Sequence, residues 1–519
     1  MTLPEPIPLL NYDPAVSFRA GAAATNVDPP LGLPLVGVVR RVEPARERLG
    51  PLEVTAAAFE RDSTRVVVCG VDTLAIQSPE VDELRDRISA ATGAARAGVL
   101  LNWNHTHHAP PGGRTIYGSF GERDPEPDAA TLAYIGRLHE AIVDTCARAF
   151  EALERASVRS GLGRAELAIN RRQRDDDGRV RRIGWNPDGL VDRSVPVLQA
   201  VREDGSAIAT IVAYGAHTVT TGVEYPGYSP DYPGWLRETI RAVTGGECVY
   251  LQGAAGNVMP LVGFDDDLRS PVETGRRLAL EALHAIADRP GWPRRLVQTG
   301  FGSATPLDLF RWERIEGPEP TLAAFEEEVE FPLLPLPSLE EIRAERERAE
   351  REVAEAEGRG VPEGELRVLR FHGLGWARRT EAEIAGGDPR RVARGPVCAI
   401  RIGDTAIVTG PGEVFTEIGL AVKERSPADV TFYCGYSNGC VSYMPTAAEY
   451  PLGGYEPAYG NKTYGLPAQV SPETERLLVE TGVRLVRSLF PEREAPRVVG
   501  WLATGTLPQP PPSPPLARP

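Results

Sequence analysis

Apolar runs bounded by turn residues alternate along this chain with stretches whose apolar positions recur at helical spacing. Near the start, "FRAGAAATNVDPPLGLPLVG" reads as a short strand entering a Pro/Gly loop. "LEVTAAAFE" and "TRVVVCGVDTL" read as strands split by the turn-like "RDST". "SPEVDELRDRISAATG" carries a Ser cap, acids in its first turn and a closing Gly, which predicts a helix with both ends signalled. "AGVLLNWNHTH" then returns to a strand, so the order strand–helix–strand predicts a βαβ unit.

The pattern continues downstream. "DAATLAYIGRLHEAIVDTCARAFEALER" is a long amphipathic helix, "SVRSGLGRAELAINRRQ" a strand pair, and "VPVLQAVREDGSAIATIVAYGAHT" a hairpin around "EDGS". "YPGWLRETIRAV" and "PVETGRRLALEALHAI" read as helices flanking the strand and glycine loop of "ECVYLQGAAGN". "VCAIRIGDTAIVTGPGEVFTEIGLAVKERS" gives two strands, a tight loop and a helix. The fold class this predicts is α/β, with mixed, largely parallel β-sheets covered by helices. One stretch breaks the pattern: "LPSLEEIRAERERAEREVAEAEGRGVPEGELRVLRFHG" is rich in Glu, Arg and Ala, and predicts a solvated helical excursion or recognition arm. The expected organisation is a lead over residues 1–17, one domain over 18–505 with a charged helical insertion at about 320–385, and a disordered proline-dense tail over 506–519.

Composition narrows the function classes. A chain of 519 residues is long enough for two domains or one large α/β unit. Its net charge of −15 and lack of a Lys/Arg cluster argue against a nucleic-acid partner. Lys423 and Lys462 are the lysines, which argues against a lysine nucleophile. The six cysteines form no CxxC pair and read as buried thiols in a reducing compartment. The N-terminus shows no signal-peptide pattern, and no apolar run reaches the roughly 18 residues of a membrane helix. The expected location is cytoplasmic, and a homo-oligomer is left open.

Seven histidines are present, and three of them crowd into "NHTHHAPPGG". Residues two apart on a strand face the same way, so His105 and His107 can look into one cavity at the strand's C-terminal end while His108 points elsewhere. His217 ends another apolar strand, and strand ends of one sheet converge. Imidazole is a common zinc ligand. His139 and His284 on amphipathic helices, and His372 in the charged stretch, read as structural or surface residues. Glu413, in "GPGEVF", suits a metal ligand, a base, or a helix N-terminal acid favoured by the dipole. Gly253 and Gly256 lie in a turn whose amides would suit an oxyanion or merely a tight turn. Tyr436, Tyr443, Tyr450, Tyr455 and Tyr459 sit in a Gly/Ser/Pro-rich loop, where aromatics pack or line a pocket.

Seven motifs in order resemble the neutral/alkaline (non-lysosomal) ceramidase family: "AGAAATNVDPPLG", "NHTHHAPPGG", "INRR", "AHTVTTG…SPDYPG", "QGAAGNVMP", "PGEVFTEIG" and "GYSNGCVSYMPTAAEY…GGYEPAYG". The resemblance implies one zinc ion held by His105, His217, Glu413 and Tyr443, and hydrolysis of an amide bond in a lipid-like or small substrate. It implies His107 and Arg171 as proton-transfer and carbonyl-polarising groups, and places Gly253, Asn257 and Tyr455 beside the substrate. This chain departs from the family in the glycine turn, where Gly253 stands at a serine-like position and Asn257 at an aspartate position. His108 replaces a small residue, and no C-terminal immunoglobulin-like domain follows "LFPER". Two other readings follow from these departures: a zinc hydrolase of an ester, lactone or sugar-derived substrate, and a non-catalytic metal- or partner-binding protein.

Overall fold

The strands form where apolar, β-branched residues are covered on both faces. Val66, Val67 and Val68 are consecutive and all fully buried, as a doubly covered strand requires. The computed structural model describes residues 18–115, 127–302, 307–315 and 317–493. The expected lead (1–17) and proline-dense tail (506–519) lie outside the described residues.

Three sheets carry the architecture. The first orders Val99–Trp103, Thr64–Val71, Glu53–Arg61, Arg19–Asn26 and Glu154–Arg155. The second orders Glu247–Gln252, Ala207–Tyr214, Ser194–Val201 and Ser157–Arg164. The third orders Leu322–Pro332, Val392–Ile402, Thr405–Thr409 and Val430–Cys434. The α/β class stands and the sheets are mixed, but they are not largely parallel. Within these three sheets, parallel pairing is one pair at an edge of each: Thr64–Val71 with Val99–Trp103, Ala207–Tyr214 with Glu247–Gln252, and Thr405–Thr409 with Val430–Cys434. The remaining neighbours in these sheets run antiparallel, and where the connection is tight, as at the turn at Asp62 (φ 53) and the "EDGS" hairpin, it can only reverse the chain.

Each parallel pair is bridged by a helix: Glu80–Thr92, Asp231–Thr244 and Thr416–Glu424. The predicted βαβ unit is therefore present three times. Ser78 does not cap the first of these helices; Pro79 occupies the cap position, and Gly93 (φ 73) closes the helix as expected. The inner faces of all three sheets meet in one core, with Phe59, Leu100, Leu198, Ile211, Val249, Ile400 and Phe432 in a single cluster. Longer helices cover the outer faces: Ala129–Glu151 the first sheet, Arg269–Ala287 the second, Glu473–Leu489 the third.

The charged stretch is not a free excursion. Leu322–Pro332 pairs along its whole length with Val392–Ile402, and the helices follow only from Leu339–Gly358, capped by a Ser338/Glu341 capping box. That helix buries Ile342, Ala349, Val353 and Ala356 on one stripe and turns its charges outward. Glu363–Val368, a π-helical turn over Leu369–Gly375 and the helix Trp376–Ala385 complete the insertion. All six cysteines are free and buried. Among the described residues no helix is long and apolar enough to cross a membrane.

Candidate metal centre

The C-terminal ends of the three parallel pairs converge, and Asn102 ties them together. Its Nδ2 donates to the carbonyls of Gln252 (3.3 Å) and Gly435 (2.9 Å) and to Ser437 Oγ (3.0 Å). Its Oδ1 accepts from the Gln252 amide at 2.7 Å. One side chain on the first sheet thus satisfies groups at the ends of the other two, where sites in such folds form.

His105 lies two residues past the strand Val99–Trp103, in the left-handed region at φ 64. A non-glycine residue persists there only when its surroundings fix it. The His105 amide donates to the Thr73 carbonyl (3.0 Å), and the preceding Asn104 side chain donates to Asp72 (2.7 Å). Asp72 is in turn gripped by Arg237 through both guanidinium Nη atoms. His105 Nδ1 bonds the Leu74 carbonyl at 2.8 Å, and His217 Nδ1 the Ala255 carbonyl at 2.7 Å. A carbonyl only accepts, so Nδ1 carries the proton in each ring and Nε2 presents its lone pair.

Both lone pairs face the same carboxylate. Glu413 Oε2 lies 3.4 Å from His105 Nε2 and 3.1 Å from His217 Nε2. The Glu413 carboxylate is held by the Tyr464 hydroxyl on Oε1 (2.6 Å) and the Tyr436 hydroxyl on Oε2 (3.2 Å). Burial pushes His105 down to about 4 and lowers His217, on which Arg171 also acts. Burial alone would raise Glu413, but His105, His217 and Arg171 bring it down to about 2. Near neutral pH the cluster is two uncharged imidazoles and a carboxylate, all electron-pair donors. His217 Nε2 is buried with no hydrogen-bond partner. Acceptors converging without a proton between them repel unless a cation lies among them, so the donor set fits a metal ion.

The imidazoles of His105, His107 and His217 also lie with ligand atoms within 4.8 Å of one another and could hold a metal ion. Strand alternation is not what brings His107 to His105, since the strand has ended before either. The turn itself does it, with the rings 5.1 Å apart. Gly37, at φ +96, leaves room for this ring; a Cβ there would stand 2.6 Å from His107 Cγ. Neither ring nitrogen of His107 has a hydrogen-bond partner. Its carbonyl accepts from Arg41 at 2.7 Å. His108 turns away as expected and does not crowd the cavity. It bonds the Gly227 carbonyl (3.1 Å) and contacts Arg41 Nη2 (3.3 Å), steadying the arginine that holds His107.

Tyr443 is placed beside Glu413 by parallel pairing of Glu413–Val414 with Tyr443–Met444. Arg171 donates to the Tyr443 hydroxyl at 3.2 Å, and its charge is anchored by Glu456 at 2.9 Å. Glu456 also takes Arg172 Nη1 at 2.6 Å, so one buried carboxylate serves two buried guanidiniums. Tyr455 opens the helix Tyr455–Thr463, its ring 5.6 Å from that of Tyr443.

Gly253 and Asn257 do not line the cavity, although the Asn257 carbonyl accepts from the Arg171 amide at 2.8 Å. The Gly253 amide donates to the Tyr214 carbonyl and that of Gly256 to the Val414 carbonyl, so neither is available to an oxyanion. Gly256 is needed for close packing, since a Cβ there would meet the Glu413 carbonyl oxygen at 2.3 Å. Asn257 is wholly buried, accepting from the Thr416 amide (2.9 Å) and donating to Glu417 (2.8 Å) at the start of a helix. Three residues that the sequence reading left without a site role stand here. They are Tyr436 and Tyr464, which hold the Glu413 carboxylate, and His372, which lines the cavity instead of serving a merely structural or surface role.

His105, His107, Arg171, Glu413, Tyr443 and Tyr464 of this cluster line a cavity of about 300 Å³. Val38, Val39, Leu74, Ile183, Val223 and Phe264 supply apolar lining, and Val368 and His372 of the insertion also line it. That volume is at the lower end of small-molecule sites.

No protein-family model matches the chain, and no curated protein sequence matches it. The fold, three mixed sheets meeting at a buried His/Glu centre, is similar to that of two solved ceramidase structures. The structure of neutral ceramidase from Pseudomonas aeruginosa superposes with a TM-score of 0.62 at 18% identity, covering 92% of this chain and 75% of that one. A structure of a ceramidase complexed with C2 superposes with a TM-score of 0.63 at 16% identity, covering 93% of this chain and 76% of that one.

Proposed function

We propose that this chain is a zinc-dependent hydrolase that cleaves an amide (N-acyl) bond in a lipid-like substrate. The observation that carries the reading is the pair of imidazole Nε2 lone pairs, set by backbone carbonyls, aimed at the buried Glu413 carboxylate. His105, His217, Glu413 and Tyr443 are the proposed ligands, a nitrogen and oxygen set suited to zinc. Zinc, when bound, supplies Lewis-acid polarisation of a carbonyl and an activated water.

The remaining work falls to the chain itself. Arg171, fixed by Glu456 and aimed at the Tyr443 hydroxyl, presents a permanent positive charge where the amide oxygen gains negative charge. His107 has both ring nitrogens unpartnered and is the group to carry a proton toward the leaving amine. Tyr464 and Tyr436 orient the Glu413 carboxylate. The apolar lining at Val38, Val39, Leu74, Val223 and Phe264 suits an acyl chain better than a sugar and excludes water from the floor. The likeness to the neutral ceramidases supports the same chemistry, with a ceramide-like amide as the first substrate to try. The test is elemental analysis of wild type beside His217→Ala, with hydrolysis of a short-chain fluorogenic N-acyl sphingosine on the same samples. Near-stoichiometric zinc with turnover, both lost in the variant, is expected. No zinc in either sample after reconstitution would overturn the mechanism.

A further inference from the structure

The π-helical turn Leu369–Gly375 belongs to the charged insertion, yet it carries His372 into the cavity wall. Such turns recur at functional sites because the widened turn re-aims its side chains. This one is built into place. Arg367 donates to the Arg41 carbonyl on one side. On the other, Trp376 Nε1 donates to the Leu466 carbonyl at 3.0 Å, and Lys462 Nζ stands 4.5 Å from the Trp376 ring centre.

The His372 ring packs 4.7 Å from Phe371, 5.8 Å from Tyr459 and 6.3 Å from Tyr455. Its Nε2 lies 3.5 Å from Thr463 Oγ1, the outer limit of a hydrogen bond, so its bonding capacity is hardly used. Thr463 Oγ1 is 3.1 Å from the Tyr455 hydroxyl, and the Tyr455 ring abuts Tyr443 at the proposed reaction centre. Three neutral polar groups therefore cluster on the cavity wall, next to where the scissile bond would lie. Burial, with repulsion from Lys462, brings His372 down to about 4, so the ring is uncharged and suits a neutral partner rather than a carboxylate.

We propose that His372 is a specificity-determining residue: its Nε2, with the Thr463 and Tyr455 hydroxyls, receives a hydroxyl on the amine side of the substrate. The chain then prefers N-acyl amino alcohols to N-acyl alkylamines. This rests on the amide-hydrolase reading above, and the experiment separates the two. N-octanoyl ethanolamine and N-octanoyl propylamine, which exchange a hydroxyl for a methyl, are compared in hydrolysis and in calorimetric binding. The proteins are zinc-reconstituted wild type, His372→Phe and His372→Gln, each checked for a wild-type melting profile. One neutral hydrogen bond predicts a preference of roughly tenfold for the ethanolamine in wild type. That preference should fall to about twofold or less in His372→Phe and return in part in His372→Gln. An unchanged preference in His372→Phe, no preference in wild type, or binding of neither compound would overturn the role of His372. Hydroxyl-dependent binding without hydrolysis of either compound would leave His372 standing and overturn the amidase reading.

Discussion

Glu456 carries more than its own charge. Its side chain is about 1% exposed, and its two oxygens hold Arg171 and Arg172, themselves about 3% and 2% exposed. In Glu456→Gln the shape is kept and the charge removed. Arg172 retains Glu449 and the Gly453 carbonyl, whereas the Arg171 guanidinium retains, among the described residues, the Tyr443 hydroxyl and ring as its hydrogen-bond and ring contacts. Breaking one buried ion pair from one side costs about 3–5 kcal/mol. With an unfolding entropy of roughly 2 cal/mol/K per residue, a 519-residue chain unfolding as one unit loses about 1 °C per kcal/mol. The expected shift is therefore a fall in melting temperature of about 3–5 °C. Glu449→Gln, which leaves Arg172 paired to Glu456, should move it by about 1 °C. Differential scanning calorimetry of the two variants reads the contrast. A Glu456→Gln melting temperature within 1 °C of wild type, or equal shifts in both variants, would show that Arg171 is not dependent on this carboxylate.

Tyr464→Phe removes the 2.6 Å donor to Glu413 Oε1 and should weaken zinc binding about 10–100-fold in competition with a chelator. Equal affinity would deny the tyrosine that role. His107→Ala should keep near-stoichiometric zinc while losing at least about 100-fold in turnover. Loss of zinc would instead make His107 a ligand, as its nearness to His105 and His217 permits. Burial alone would raise Asp192, but its 2.6 Å pair with Lys423 and bonds from Ser194 hold it below the ordinary carboxylate range. A depressed folded pKa stabilises above the unfolded value and is lost as pH falls through the folded one. The stability gap between wild type and Asp192→Asn should therefore be full near pH 6 and close below about pH 4 in urea titrations.

What was legible in the sequence follows from range. The alternation of apolar runs and amphipathic stretches fixes local structure, so helices such as Ala129–Glu151 and the hairpin over Ser194–Tyr214 could be read directly. Strand direction could not, because it depends on which strands become neighbours. Arg19–Asn26 inserts beside Glu53–Arg61 with no local signal to say so. The histidines and Glu413 were recognisable as candidates by residue type and position at strand ends, and Tyr443 by its motif. Tyr464 and Tyr436 were not, because a tyrosine in a loop looks the same whether it packs or holds a carboxylate. His372 was hidden by its surroundings in the opposite sense, an imidazole in a charge-rich stretch whose docking depends on distant residues such as Arg41, Lys462 and Leu466.

Each of the three sheets contributes to the candidate metal centre, and none supplies the whole donor set. His105 hangs from the first, His217 from the second, and Glu413 from the third. Folding of any one unit leaves an incomplete donor set, so the proposed metal ion is fully held only once all three have docked with Asn102 at their meeting point. Occupancy of the centre is then a report on completed assembly. Under the proposed function, a misregistered or half-folded chain would lack both the metal and the reactivity that depends on it.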